Sequence, residues 1–489
     1  MRSNRTPADS TRPAVAPRPG WTRLLLIGSA LLLLVGLVRV AQRVDPAGRN
    51  GAAGPAAAED SSDRGRHSRE DDSHQRPQRT GVAPGPTAEE TVAAKLALFS
   101  NSRRELARTM ARRKGVPVPA EVERFFDALE SGNWEEIDSQ FKALGRRSGQ
   151  YDGSTHSPEL DPVWNAVLDA YGAAEQVHEW PAQQLLDYGH AILASLRPGM
   201  VYVGGTDSGR WIPELLNETS AGEHHVILTQ NALADGRYVE YMSALYGDRF
   251  ANLTQEDSKR AFEDYVADAG KRLEHDQQFP EEPRQIRNGE EVKRVDGKVV
   301  VGGHLAVMSI NEKLLQAIMA RNPELTFAVQ ESSPLPGTYS EALPLGPLME
   351  LRARDGSKGF TPERAAESLD YWRSTAQQLL ADPEAAGSPT ALKSYSHDTV
   401  SAAHLLEAHH FQAEAEETYR LSAQLWPGNP ESVGGLANLL TQSGREAEAS
   451  QLVESFTRNH PDQAKALERV RAATRLVGPA PAGGASRHP

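Results

Sequence analysis

The alternation of hydrophobic and polar positions along this chain divides it into stretches of different period. Leu24 to Val38 is an unbroken uncharged run flanked by Trp21, Arg23, Arg39 and Arg43. From Asp45 to Gly81 no Val, Ile, Leu, Met, Phe, Trp or Tyr occurs. Apolar residues then recur at helical spacing as far as Leu196, give way to short β-branched and aromatic runs, and return to helical spacing up to Thr474. With its flanks, Trp21 to Ala41 supplies about the 20 residues a spanning helix needs. No small-x-small site follows closely, because Arg39 stands three positions before the Ala41/Gln42 junction, and this favours an uncleaved anchor over a signal peptide. A segment without large apolar side chains buries no core, so the tract after the anchor reads as a disordered tether.

Within the globular part, Thr87 and Glu90 fit a capping box that opens a helix continuing through Arg103 to Lys114. Ala120–Leu129 and Trp134–Leu144 form a helical hairpin, with Asn133 and Glu136 as a second box, and Val163–Gln176 and Ala182–Leu196 give two further helices. Met200–Val203 then reads as a strand that breaks into a Gly-rich loop, with Thr206 or Asp207 capping a helix near Arg210. A second run, His225–Thr229, ends in Gln230 and Asn231, and a third, Leu325–Val329, ends in Gln330 and Glu331. Between them lie helices at Ala232–Tyr246, Gln255–His275 and Asn311–Ala320, and a hairpin within Glu291–Gly303; a last strand follows at Gly346–Arg352. This alternation predicts an α/β fold with a mostly parallel open sheet and flanking helices.

The C-terminal part repeats. Ala403, Leu405, Leu406, Ala413, Glu414, Ala415 and Pro427 recur as Ala437, Leu439, Leu440, Ala447, Glu448, Ala449 and Pro461, each displaced by 34 residues. That period, with small residues at the helix crossing and Pro after the second helix, is the pattern of an all-α tetratricopeptide array, flanked by helices at Pro362–Ala381 and Ala464–Thr474. The organisation is therefore a basic disordered tail (1–21), a single transmembrane helix (22–43), a linker (44–86), a helical section (87–197), an α/β domain (198–355), a repeat domain (360–476) and a disordered tail (477–489). The anchor places the N-terminus in the cytoplasm and the bulk of the chain outside it, periplasmic or extracytoplasmic.

Composition narrows the chemistry. The net charge of −13 argues against a nucleic-acid partner, which requires clustered Lys and Arg to neutralise phosphates. The absence of cysteine removes disulfides, thiolate catalysis and cysteine-bound zinc. No cofactor motif is present: the loop from Gly204 to Arg210 matches neither the Walker pattern nor the dinucleotide fingerprint nor the nucleophile elbow.

What remains is a crevice at the carboxyl ends of the strands, where open α/β sheets hold their ligands. Its candidate lining is Gly204, Gly205, Thr206, Asp207, Gly209, Arg210, Gln230, Asn231, Asp235 and Glu331. Backbone amides at the helix start, with Arg210 as a fork-shaped donor, suit a polar or anionic small ligand. The alternative is a tight turn in which Asp207 is a cap and Arg210 pairs with Asp207 or Glu331. Asp207, Asp235 and Glu331 serve as acid and base, or as oxygen ligands for a hard cation, only if they converge; no metal site is assigned. His404, His409 and His410 miss the H-x-x-E-H spacing by one residue and read as structural or surface side chains of the first repeat.

The segments 202–210 (YVGGTDSGR), 229–242 (TQNALADGRYVEYM), 256–275, 303–311 (GHLAVMSIN) and 327–336 (FAVQESSPLP) resemble a group of bacterial membrane-anchored tetratricopeptide proteins of unknown function. More distantly they resemble the soluble C-terminal portion of protein O-mannosyltransferase-like glycosyltransferases. The resemblance implies an envelope protein with a partner-binding repeat domain. It carries no catalytic residue over, because those transferases act through a many-helix membrane portion and this chain has one hydrophobic run. Two functions follow: a non-catalytic binding protein whose array meets a protein or peptide partner, or a glycan-directed enzyme using the strand-end carboxylates.

Overall fold

The computed structural model describes residues 85–474, apart from 151–153, 206, 288, 296 and 352–358. The expected anchor, nearly all of the linker and both tails lie outside the described residues, among which no helix is long and apolar enough to cross a membrane.

Helix predominates. Helix α1 (Ala88–Lys114) starts at the full capping box of Thr87 and Glu90 and stops at Gly115, whose φ of 69° ends the helix in the left-handed region. Helices α2 (Ala120–Ser131) and α3 (Trp134–Gly145) form the expected hairpin, with Asn133 accepting from the Glu136 amide. Helix α4 (Trp164–Glu179) packs on them through a stack of Phe141 and Tyr171, ring centroids 3.6 Å apart. Helix α5 (Ala182–Ser195) leads into the first strand.

Strands β1 (Val201–Gly204), β2 (Val226–Thr229) and β5 (Phe327–Val329) pair in parallel, with β1 central. Strands β6 (Leu343–Leu345) and β7 (Leu348–Glu350) complete a sheet of order β2-β1-β5-β7-β6. Here the expectation of a mostly parallel sheet is corrected: β7 runs antiparallel to both β5 and β6, so the sheet is mixed. The physical reason is the connection. No crossover helix follows β5; the chain returns by a loop and reverses tightly at Gly346, whose φ of 58° favours glycine. The single strand expected at 346–352 is one arm of that hairpin. Strands β3 (Glu291–Val295) and β4 (Lys298–Gly302) form the other expected hairpin, as a separate two-stranded sheet.

Both faces of the larger sheet are covered, and this is why its strands are apolar without alternation. Successive side chains point to opposite faces: Val201 and Val203 enter one core, Tyr202 the other. The first core is shared with α7 (Gly236–Tyr246), α8 (Gln255–Gln278) and α9 (His304–Arg321), the last a full turn and more longer at its start than the sequence pattern indicated. The second is shared with α5, α6 (Ser208–Glu218) and α10 (Pro362–Ala381).

After a short helix α11 (Pro383–Ala386), the C-terminal part consists of two helix pairs: α12 (Pro389–Ala408) with α13 (Gln412–Leu425), and α14 (Pro430–Gln442) with α15 (Glu446–Asn459). Helix α16 (Ala464–Thr474) closes on α14. Positions 34 apart are buried alike: Ala403 with Ala437, Leu406 with Leu440, Ala415 with Ala449. The pairs cross closely, since a Cβ on Gly435 would lie 2.4 Å from the Tyr419 ring.

Candidate functional site

At the carboxyl ends of β1, β2 and β5 the three polar turns do come together, but they meet protein rather than solvent. Gln230 accepts from both the amide and the hydroxyl of Ser332, each at 2.9 Å, and donates to the Ser333 carbonyl at 2.7 Å, tying the end of β2 to the end of β5. Its own amide donates to the Gly204 carbonyl. The glycines serve this packing. None of Gly204, Gly205 and Gly209 has a φ in the left-handed region; what each provides is close approach. A Cβ on Gly205 would meet Ser332 at 2.5 Å, and one on Gly209 would meet the Gln330 carboxamide at 1.8 Å. Thr206 lies outside the described residues.

Asp207 is the N-cap of α6, accepting from the Gly209 amide at 3.2 Å. Asp235 caps α7 in the same way through the Arg237 amide at 2.9 Å, and its carboxylate also meets the Arg237 guanidinium and Gln150. Asn231 is half-buried in the turn after β2. Glu331, 2% exposed, accepts from the Leu335 amide at 2.9 Å and the Tyr339 hydroxyl at 2.5 Å. Each carboxylate is thus held by hydrogen-bond donors of its own chain. Among the described residues no group of three or more His, Asp or Glu side chains is arranged to hold a metal ion.

Arg210 departs most from the anion-clamp reading. It is 3% exposed and turns under the sheet, where its guanidinium donates to Asp169 on α4 and, at 3.1 Å, to Glu214 one turn along α6. Arg103 of α1, fully buried, donates to Glu214 at 2.8 Å and to Glu218, and Tyr241 of α7 donates to Asp169 at 2.5 Å. The expected partners, Asp207 and Glu331, are not the ones used. Burial pushes the Asp169 carboxyl up to about 7 despite the pull of Arg210 and Arg103, with Glu214 beside it adding to the rise. This network joins four helices and is sealed from ligand.

The groups that face the strand ends come from the repeat array. Helix α12 lies across them and directs His397, Ser401 and His404, spaced along one face, at the segment after β5. His397 Nε2 is 2.9 Å from the Glu331 carbonyl, Ser401 donates to the same oxygen at 3.3 Å, and His404 Nδ1 is 3.4 Å from the Glu331 carboxylate. The other nitrogen of His397 is 3.0 Å from Glu431 on α14. Asp398, 2% exposed, accepts from Gln330 and, at 2.9 Å, from the Tyr188 hydroxyl of α5. Burial pushes Asp398 up to about 7, against His397 and the two donors. Although burial alone would depress His397, Glu431 carries it up to about 10, with Asp207 and Asp398 adding to the effect.

His397, Asp398 and Glu431 were invisible as site residues because nothing in the linear spacing ties position 331 to position 397. The one available signal was that His397 and Glu431 occupy the same place in consecutive repeats, 34 apart. An open groove of about 490 Å³ lies elsewhere, between α8 and the β3–β4 hairpin, lined by Val266, Gly270, Lys271, Glu274, Arg294 and Val299. No protein-family model, no curated protein and no solved structure matches the chain.

Proposed function

We propose that the protein is a single-pass, membrane-anchored envelope protein that binds rather than catalyses, an α/β platform carrying a tetratricopeptide-type array that meets a protein or peptide partner. The observation that carries the non-catalytic reading is the commitment of Asp207, Asp235 and Glu331 to amides, hydroxyls and cations of their own chain. A general acid or base needs reach to a substrate proton, and Asp235 and Glu331 are buried against donors of their own chain. The matched burial of small residues 34 apart supports the repeat type. The hydrophobic run at 24–38 and the tether after it support the anchor. A glycan-directed enzyme would require the strand ends to open.

The test takes the full chain in its native envelope, with photo-crosslinking residues introduced at exposed array positions such as Arg420 and Ser443. A discrete cross-linked partner, together with no turnover of envelope glycans or lipid-linked sugars by the purified protein, is the expected result. Turnover that disappears in Glu331→Gln would overturn the reading.

A further inference from the structure

The inner helix of the first pair in the array, α12, already has an occupant: the chain's own loop after β5. His397, Ser401, His404 and His409 reach the Glu331–Tyr339 segment, the last with its Nε2 2.7 Å from the Tyr339 carbonyl. The far side of this loop is held by Glu312 of α9, which accepts from the Gly337 amide at 2.8 Å. Of these contacts, the one made by His397 is chemically unusual. A carbonyl oxygen and a carboxylate can only accept, so an imidazole placed between the Glu331 carbonyl and the Glu431 carboxylate must donate from both nitrogens. A neutral ring has one N–H and satisfies only one of them. The bridge is complete only when the ring is cationic.

We propose that His397 is a protonation-dependent latch, an imidazolium that clasps the strand-end loop to the repeat array and holds the inner face of the array closed by an intramolecular ligand. The latch needs no external partner and stands whether or not the binding reading above is right. Charged and titratable groups face it from every side. Glu331 comes from the end of β5 through its carbonyl and Asp207 from the β1–α6 loop, while Tyr188 of α5 and Tyr202 of β1 face the adjacent Asp398. Glu431 comes from α14, His304 from the start of α9, and Asp398, His404 and Glu407 from α12 itself.

The signs add up to a junction that tightens as pH falls. His397 is raised in the folded chain, so its contribution is complete below the free imidazole range and is lost as pH rises through about 10. Asp398 is raised as well, and its contribution is complete below about 4 and lost as pH rises through about 7. His404 is raised and acts in the same direction as His397. Two groups oppose. Burial depresses His304, which favours the folded form above the free imidazole range, and His397 holds Glu431 low despite its burial, so that its contribution fails only in acid. Between about 7 and 10 His397 acts unopposed, and this one-proton step changes the open population by up to about tenfold per pH unit.

The experiment uses the full chain and two readouts. Exchange of each histidine C2 proton, followed by mass spectrometry, gives the titration of His397 directly; a midpoint well above that of free imidazole is expected, and a midpoint near 6.5 would overturn the latch. Because the chain has no cysteine, spin labels at Glu256→Cys and Ala413→Cys report the distance between platform and array without background. A narrow distribution at pH 6 that broadens by pH 10, and is already broad at pH 6 in His397→Gln, is the expected outcome. The same narrow distribution under all three conditions sinks the proposal. Should His397→Gln not fold, Glu431→Gln keeps the ring and removes one acceptor. It must then shift the His397 midpoint down and the broadening to lower pH, and failure of both shifts also refutes the latch.

Discussion

Replacing Arg210 by Ala separates the two readings of the glycine-rich loop. The side chain is 4% exposed and its partners Asp169 and Glu214 are each 1% exposed, so no water replaces the lost guanidinium. The network holds two guanidinium groups, Arg103 and Arg210, against three carboxylates, Asp169, Glu214 and Glu218. After the substitution Arg103 alone faces all three. Removing one partner of a buried pair costs about 3–5 kcal/mol, because the charge left behind stays desolvated. Asp169 offers a partial escape. Its carboxyl already sits up near 7, so it can take a proton and shed part of the penalty, and the loss should be smaller at pH 6 than at pH 8. Urea unfolding of a chain beginning at residue 85, wild type beside Arg210→Ala at both pH values, measures this directly, provided the two slopes agree. Arg210→Lys should recover only part of the loss, since an ammonium cannot span two carboxylates as the planar fork does. A loss below about 1 kcal/mol, with sugar- or phosphate-induced stabilisation present in the wild type and absent in the mutant, would return Arg210 to the ligand and refute the structural assignment.

Gly209→Ala should destabilise by about 1–3 kcal/mol through overlap with the Gln330 carboxamide, read as a lower urea midpoint; an unchanged midpoint would mean that the loop is open as a ligand cradle requires. Ala449→Leu, at a position 2% exposed where two array helices cross, should cost a similar amount and increase amide exchange over residues 395–474 while leaving the platform unchanged. Asp398→Asn removes a carboxyl whose folded form binds its proton up to about pH 7, so the fall in stability between about pH 4 and 7 should flatten in the mutant; an identical pH profile would contradict the buried placement. The full-length chain should remain with membranes at high salt and alkaline pH while the chain from residue 85 is soluble, and recovery of a soluble species cut near residue 41 would select a cleaved signal instead.

Local rules read in the sequence were enough for most elements. The capping box of Thr87 and Glu90, the Asn133 cap and the hairpin at 291–303 each depend on residues a few positions apart, and each formed where the pattern put it. The apolar runs at 201–203, 226–228 and 327–329 had to be strands of a covered sheet, since they are too short for buried helices and lack a polar face. Tertiary structure decided what short range could not. The direction of β7 depends on a loop and one left-handed glycine rather than on the strand's own residues, so the mixed sheet was not legible from strand composition. Asp207 and Glu331 were the partners expected for Arg210, yet its charge is met by Glu214, one turn along α6, and by Asp169, 41 residues earlier, because α4 and α6 pack against each other. The ends of the strands do meet, but whether they enclose an open crevice depends on α12, which covers them from 66 residues further along the chain. A polar turn at a strand end has the same sequence whether it faces water, a ligand or another helix; burial alone tells these apart, and burial is a property of the whole fold.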